Sequence, residues 1–304
     1  MITITPDIDL LRQHGKMEQA QIGKTADWSE QVKYLARNGD HVTGEKLPWH
    51  KTHEKIGLRE KELTIWAGIN SAGKSALLGQ VLLFFPPDVK CMIASLEMPP
   101  EQTIYRMAKQ SIGQELITDT YVDHFNSLTE NIYIYDQLDT VQPETMIGLI
   151  HFAAQEYGIK HFMIDSLVKC GISPEDYPSQ KTFIDRLTWA ARSENIHIHL
   201  VHHIRKTDNA KARPDKFSVK GAGEITDLAD NVALLWRNFD KEQRAQSEHV
   251  DPMEPDLCLI WDKQRHFSWT GDINLYWHPS GQLRGGPDSN NLKWRIETRY
   301  PEAQ

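Results

Sequence analysis

The sequence predicts an α/β fold, with a mostly parallel central sheet flanked by helices and a short N-terminal helical arm. Three observations carry this. Seven short apolar runs recur along the 304 residues: Leu63–Ala67, Lys90–Leu96, Ile132–Tyr135, Phe162–Ile164, Ile196–Val201, Val232–Trp236 and Leu257–Trp261. Most are separated by stretches long enough for a crossover helix, the connection parallel neighbours need. The first run leads through a glycine-rich loop directly into the helix-like segment Ala76–Phe85.

Near the N-terminus, Asp27 followed by Glu30 reads as a capping box. Trp28, Val32 and Leu35 stand at i, i+4 and i+7 and Gly39 is a stop, so one short amphipathic helix is expected. From His41 to Leu58 the chain is polar and broken by Gly44, Pro48 and Gly57, which predicts a linker. Residues 1–55 are therefore read as an arm and 56–304 as the main domain. Within that domain the alternation of runs and helical stretches implies a sheet covered on both faces. Ile273–Trp277 follows the last run through a short loop and leads into Pro279-Ser280-Gly281, so a hairpin is expected at the sheet edge. There is no internal repeat and no low-complexity segment.

Composition excludes several classes. With 39% hydrophobic and 25% charged residues the chain reads as soluble and globular. Its longest apolar stretch, Val81–Phe85 beside Ala76–Leu78, falls short of the ~18 residues a spanning helix needs. The first 25 residues mix acids and bases without a signal-like apolar segment, so a cytoplasmic location is expected, in a host cytoplasm if the chain is viral. Cys91, Cys170 and Cys258 are widely spaced with no C-x-x-C, which speaks for a reducing compartment. His50-x-x-His53 and the histidines His197, His199 and His202 are read as structural rather than as a zinc site. The formal charge of −8 excludes a basic coat gripping nucleic acid over the whole surface. Any such contact must come from a local patch.

The strongest chemical signal is Gly68-Ile69-Asn70-Ser71-Ala72-Gly73-Lys74-Ser75, a G-x-x-x-x-G-K-[ST] phosphate loop between a strand and a helix. In such a loop Gly68, Asn70, Ser71, Ala72 and Gly73 turn backbone N–H groups around phosphates. Lys74 supplies a cation and Ser75 an oxygen for Mg²⁺. The strand His161–Asp165 ends in an acid, which either holds the Mg²⁺ water shell or simply begins a turn. The run Cys91–Leu96 leads into Glu97, at the sheet edge where open parallel sheets place ligands. Glu97 either polarises an attacking water or serves as the N-terminal acid of the helix that follows.

These residues resemble a known family: the hexameric replicative DNA helicases of the DnaB type and their phage primase-helicase relatives, which have a RecA-like ATPase core. The resemblance runs from about Trp49 to Leu283 and lacks the separate N-terminal domain of bacterial members. Four blocks carry it. The first is the phosphate loop, and the second is Ser95-Leu96-Glu97-Met98 with Arg106, which implies that Glu97 activates the hydrolytic water. The third runs from Ile198–His203 through Lys220-Gly221-Ala222-Gly223 to Asp230 and Arg237. It implies that His203 senses the γ-phosphate and that the loop after it touches single-stranded DNA. That loop carries Arg205, Lys206, Lys211, Arg213, Lys216 and Lys220 against Asp208 and Asp215, a local patch of +4 in a −8 protein. The basic residues expected on DNA are Arg205, Lys206, Lys211, Arg213 and Lys220.

The fourth block is Lys263-Gln264-Arg265 before Gly271. The resemblance implies that Arg265 reaches the neighbouring subunit's γ-phosphate with help from Lys263, and that Tyr276, Trp277 or His278 stacks on the base. It thus implies a hexameric ring helicase using ATP, or another NTP or dNTP, with Mg²⁺. Such a ring translocates 5′→3′ on single-stranded DNA during replication, with a primase or polymerase as candidate partner and no membrane. Two rivals stand beside this reading: a RecA- or RadA-like recombinase ATPase, and a nucleotide-switched loading or regulatory partner. The Ser-Leu-Glu-Met block and the Lys-Gln-Arg end speak against the recombinase.

Overall fold

The structure is a computed structural model that describes residues 22–38, 42–204, 213–219 and 223–287. Its centre is one sheet of strands β1 (Leu63–Gly68), β2 (Cys91–Ser95), β3 (Ile132–Tyr135), β4 (His161–Asp165), β5 (His197–His203), β6 (Asn231–Arg237), β7 (Leu257–Gln264), β8 (Gly271–Trp277) and β9 (Leu283–Arg284). Their order is β3-β2-β4-β5-β1-β6-β7-β8-β9. The first six of these neighbours pair in parallel, and β7, β8 and β9 extend the sheet antiparallel. Each expected run is a strand, and the expected hairpin is the β8–β9 pair at the edge.

Every residue of β1, β2 and β4 is buried. The two-residue period of a strand divides them between two cores. Leu63, Ile65, Phe162, Ile164, Leu200 and Leu234 pack on one face with Ile147 and Ile150 of α5 (Pro143–Phe152) and Phe183 and Leu187 of α6 (Tyr177–Glu194). Trp66, Ile93, Val201, Leu235 and Trp261 pack on the other face. Against them lie Leu77 and Val81 of α2 (Lys74–Phe84), Met107 of α3 (Pro100–Ile112) and Phe125 of α4 (Asp119–Leu128). Helix α2 is buried around nearly its whole circumference, which is why its sequence shows no polar face.

The chain divides into two units, Met1–His41 and Val42–Gln304. Two local expectations need correction. The stretch read as a linker is part of the main core: Leu47, Trp49, Ile56 and Leu58 are at most 1% exposed. The Trp49 indole N–H donates to the Leu283 carbonyl at 2.8 Å, and Glu45 pairs with Leu58 in an antiparallel bridge. Isolated large side chains in a polar, glycine-broken stretch have no period, so local patterning misses them. In the first unit, a 3₁₀ turn at Thr25–Trp28 precedes α1 (Ser29–Asn38). Asp27 accepts the backbone N–H of Lys24 at 2.8 Å, so its carboxylate serves that turn, one step earlier than the expected cap. No helix among the described residues is long and apolar enough to cross a membrane.

Candidate functional site

The phosphate loop lies at the C-terminal end of the central strand β1. Gly68 pairs with His203 on one side and Leu235 on the other. A Cβ there would come within 2.7 Å of the Leu235 carbonyl, so only glycine fits. Ser71 (φ 63°) and Gly73 (φ 95°) take left-handed conformations, and Gly73 caps α2. These bends give the loop the curvature that lets successive N–H groups converge on an anion. Asn70 and Ser71 are exposed and Ala72 is buried.

Lys74 is 8% exposed, and its Nζ donates to the carbonyls of Gly68 and Ile69 at 2.9 Å each. Burial pushes its pKa down to about 8, against the opposing pull of Asp165 and Glu97. Asp165, 6% exposed, lies beside the Ser75 hydroxyl, which favours its ionised form. Burial raises its pKa and Glu97 adds to the rise, while Ser75, Lys74 and Arg106 oppose it. Arg106 reaches this corner through a long contact, Nη2 to the Ser75 carbonyl at 3.4 Å.

Glu97 follows β2, whose Ser95 is level with Asp165, and the Leu96 N–H donates to the Asp165 carbonyl. The Ser166 hydroxyl donates to Glu97 Oε1 at 2.6 Å. Sequence reasoning missed Ser166: a serine after a strand-terminal acid gives no local sign of a partner 69 residues away. His203, the last residue of β5, stands beside Gly68. Lys74, Ser75, Glu97, Asp165 and His203 thus share one end of the sheet.

Two further side chains border the loop. Arg237 Nη1 donates to the Ser71 carbonyl at 2.7 Å, while its Nε and Nη2 hold Glu242. Its guanidinium lies 5.8 Å from the Trp277 ring centroid. A Cβ built on Gly73 would lie 3.3 Å from the Trp277 ring, so Trp277 is in contact range of the loop. The other two aromatic candidates are committed elsewhere. Tyr276 donates its hydroxyl to the Met253 carbonyl, and His278 Nδ1 contacts Ser280 within the β8–β9 turn.

Lys263 and Arg265 sit at the opposite end. β7 runs antiparallel to β6, so Leu257 is level with Arg237 near the phosphate loop and Gln264 with Asn231 at the far edge. Lys263 Nζ donates to the carbonyls of Thr226, Asp227 and Ala229 at 2.8 Å each. They close the end of α7 (Gly223–Leu228). Arg265 pairs with Asp230, Nε to Oδ1, at 2.9 Å.

Of the residues expected on DNA, Arg205, Lys206, Lys211 and Lys220 lie outside the described residues. Arg213 is exposed and held on the domain surface: it pairs with Asp272 at 2.6 Å, donates to Cys258 Sγ at 2.8 Å and lies 5.9 Å from the Trp236 ring. The acid it pairs with comes from β8, remote in sequence. His161, His197 and His199 stack as a buried group, in which His199 is hydrogen-bonded to Trp66 and His161, and His197 to Thr64. Among the described residues no group of three or more His, Cys, Asp or Glu is placed to hold a metal ion.

The family model for the DnaB-like helicase C terminal domain matches residues 52–282. Among solved structures, one ATPase domain is similar with a TM-score of 0.72 at 16% identity, over 86% of this chain and 98% of that one. A DnaB-like replicative helicase, studied for its interactions with primase, is similar with a TM-score of 0.68 at 14% identity, over 89% of this chain and 70% of that one. No curated protein sequence matches. At these identities the two structures show the shared RecA-like fold.

Proposed function

Because the chain belongs to the DnaB-like helicase C-terminal domain family, we propose that it is an NTP-driven ring helicase of DNA replication that translocates 5′→3′ on single-stranded DNA. One observation carries the ring. From Leu259, level with Leu235 and so with the phosphate-loop end of β1, the six residues to Arg265 span about 20 Å of strand. That is further than a side chain reaches. If Arg265 serves a phosphate, that phosphate belongs to a neighbouring subunit, and in this reading each site is completed by assembly.

In this reading the loop N–H groups and Lys74 bind the triphosphate, and Arg237 and Trp277 border the base. Lys74 is already desolvated, so its charge acts at low local dielectric. Ser75 and Asp165 are a hydroxyl and a carboxylate side by side, hard oxygens of the kind Mg²⁺ takes, and they are the residues that would hold it. The ion supplies charge neutralisation to the phosphoryl oxygens when bound. Glu97, oriented by Ser166, accepts the proton of the attacking water. His203 stands next to the loop, where a change at the γ-phosphate can pass to the basic segment that follows it. Arg265, assisted by Lys263, neutralises charge spread over the transferring phosphoryl group. The segment between Arg205 and Lys220 contacts DNA, and a primase or polymerase is the candidate partner.

The decisive experiment compares fork unwinding with ATP and Mg²⁺ by the wild type and by Lys74→Ala. Strand separation in the first and none in the second is expected. Hydrolysis on single strands without separation by the wild type would overturn the helicase reading.

A further inference from the structure

The group opposite the phosphate loop has an organisation of its own. Asp230 is 2% exposed, and nearly all its polar atoms are spent on two residues. Its backbone N–H donates to the Leu63 carbonyl, and its Oδ2 accepts the Leu63 N–H, both at 3.0 Å. Its carbonyl accepts the Arg265 N–H at 2.9 Å, and its Oδ1 takes the Arg265 Nε at 2.9 Å. Arg192 stands further off, 3.6 Å from the same oxygen. The buried carboxylate thus joins the first residue of β1 to the side chain of Arg265, and the Asp230 main chain joins it to the Arg265 backbone.

The chemistry of this arrangement favours a held finger over a buried ion pair that merely fills space. Arg265 is 43% exposed. Its Nη2 makes only long contacts, 3.3–3.4 Å, to the carbonyls of Asp227, Leu228 and Ala229, and among the described residues its Nη1 makes no hydrogen bond. The ion pair with Asp230 is made at Nε, the inner nitrogen, 2.9 Å from Oδ1. Held by this ion pair and by the Nη2 contacts, the side chain loses much of its rotamer freedom, while Nη1 keeps its N–H donors for a phosphate oxygen.

We propose that Asp230 is the positioning residue of the arginine finger, pairing with Arg265 at Nε so that its Nη1 is presented to the neighbouring subunit's nucleotide. This rests on the reading of Arg265 as a finger acting in trans. Asp230 touches no nucleotide and acts only through Arg265. Leu63 begins the strand that ends at the subunit's own phosphate loop, so the finger is mounted on a strand buried along its whole length.

The test uses the full chain and three variants. Asp230→Asn keeps the side-chain shape and an acceptor for Leu63 but removes the charge that holds Nε. It is expected to bind nucleotide and form rings as the wild type does, with an unchanged KM and kcat lower by on the order of 10²-fold, the scale of a misplaced catalytic group. Mixing Asp230→Asn with Lys74→Ala subunits is expected to restore hydrolysis, because intact phosphate loops then meet neighbours with a correctly held Arg265. The double variant Asp230→Asn/Arg265→Ala is expected to be no slower than Arg265→Ala alone. A wild-type kcat for Asp230→Asn, a double variant slower than Arg265→Ala, or loss of rings or nucleotide binding in Asp230→Asn would each overturn the assignment. Arg265→Ala mixed with Lys74→Ala separates the two readings. If that mixture stays inactive, the finger in trans fails and Asp230 with it. If it recovers while Asp230→Asn behaves as wild type, only the role of Asp230 fails.

Discussion

The Ser166 hydroxyl donates to Oε1 of Glu97 at 2.6 Å, joining the ends of two neighbouring strands at the edge of the phosphate site. Glu97 is otherwise exposed, so this hydrogen bond is what orients its carboxylate. Glu97→Gln keeps the shape but cannot accept a proton, so nucleotide is expected to bind and remain uncleaved, whereas Lys74→Ala loses nucleotide affinity. Ser166→Ala is expected to lower kcat several-fold at unchanged KM. Single-turnover hydrolysis and nucleotide-binding titrations check these outcomes, and wild-type hydrolysis by Glu97→Gln would refute the base assignment.

In the proposed mechanism nucleotide use depends on the charge of Lys74. Burial pushes its pKa down to about 8, so the free protein carries the ammonium below that pH and loses it above. The triphosphate needs the cation, so kcat/KM is expected to fall as pH rises through about 8. In Lys74→Arg, whose guanidinium stays charged, this alkaline limb should disappear even if the overall rate is lower. A pH profile of kcat/KM for the two proteins is the measurement.

Trp277 is the aromatic residue the fold brings to Gly73. Loss of a base–aromatic stack costs about 1–3 kcal/mol, so Trp277→Ala is expected to raise nucleotide KM by roughly 5- to 150-fold, with a smaller effect in Trp277→Phe. Tyr276→Phe removes only a hydroxyl bonded to Met253 and should leave KM unchanged. Equal KM values for Trp277→Ala and wild type would move the base elsewhere.

The three buried histidines predict acid sensitivity. Trp66 Nε1 donates to His199 Nδ1 at 3.2 Å, so a neutral His199 carries its proton on Nε2 and donates to His161 Nδ1 at 3.0 Å. His197 donates from Nδ1 to the Arg59 carbonyl and accepts from Thr64 on Nε2. Each ring is committed to a neutral tautomer. Burial lowers His197 to about 4 and puts His161 and His199 well below 6.5. Below pH 6.5 the unfolded chain therefore binds more protons than the folded one, so stability falls with falling pH until the folded pKa values are reached. Urea unfolding at about pH 7.5 and about pH 5.5 reads this, and His199→Gln should reduce the difference.

The basic segment carries its own prediction, which rests on sequence alone. Replacing Arg205, Lys206 and Lys211 with Ala should weaken single-stranded DNA binding and flatten log K against log salt by about 0.7 per lost phosphate contact, leaving nucleotide binding intact. Unchanged DNA affinity would place the contact elsewhere.

Much of the fold was legible because it is locally encoded. Seven apolar runs became β1 to β7 with ends shifted by at most three residues, since a buried parallel strand writes itself as a continuous apolar segment. The phosphate loop was legible for the same reason: Gly68 to Ser75 are contiguous, and their backbone requirements appear directly as glycines. The burial of Leu47 and Trp49 was not legible, because partners such as Leu283, 234 residues from Trp49, lie far along the chain.

The sequence by itself determined the strand–loop–helix that binds phosphate, the two acids at strand ends and the arginine that follows β7. Only the tertiary structure decided which atoms meet. It brought Ser166 to Glu97, placed Trp277 rather than Tyr276 or His278 against Gly73, paired Arg213 with Asp272, and tied Arg265 to Asp230 at the end of the sheet away from the phosphate loop. The physical reason is that motif chemistry depends on neighbours along the chain, whereas these pairings depend on strand order and register. Both are settled by burying the two faces of the sheet, a global condition that no short window contains.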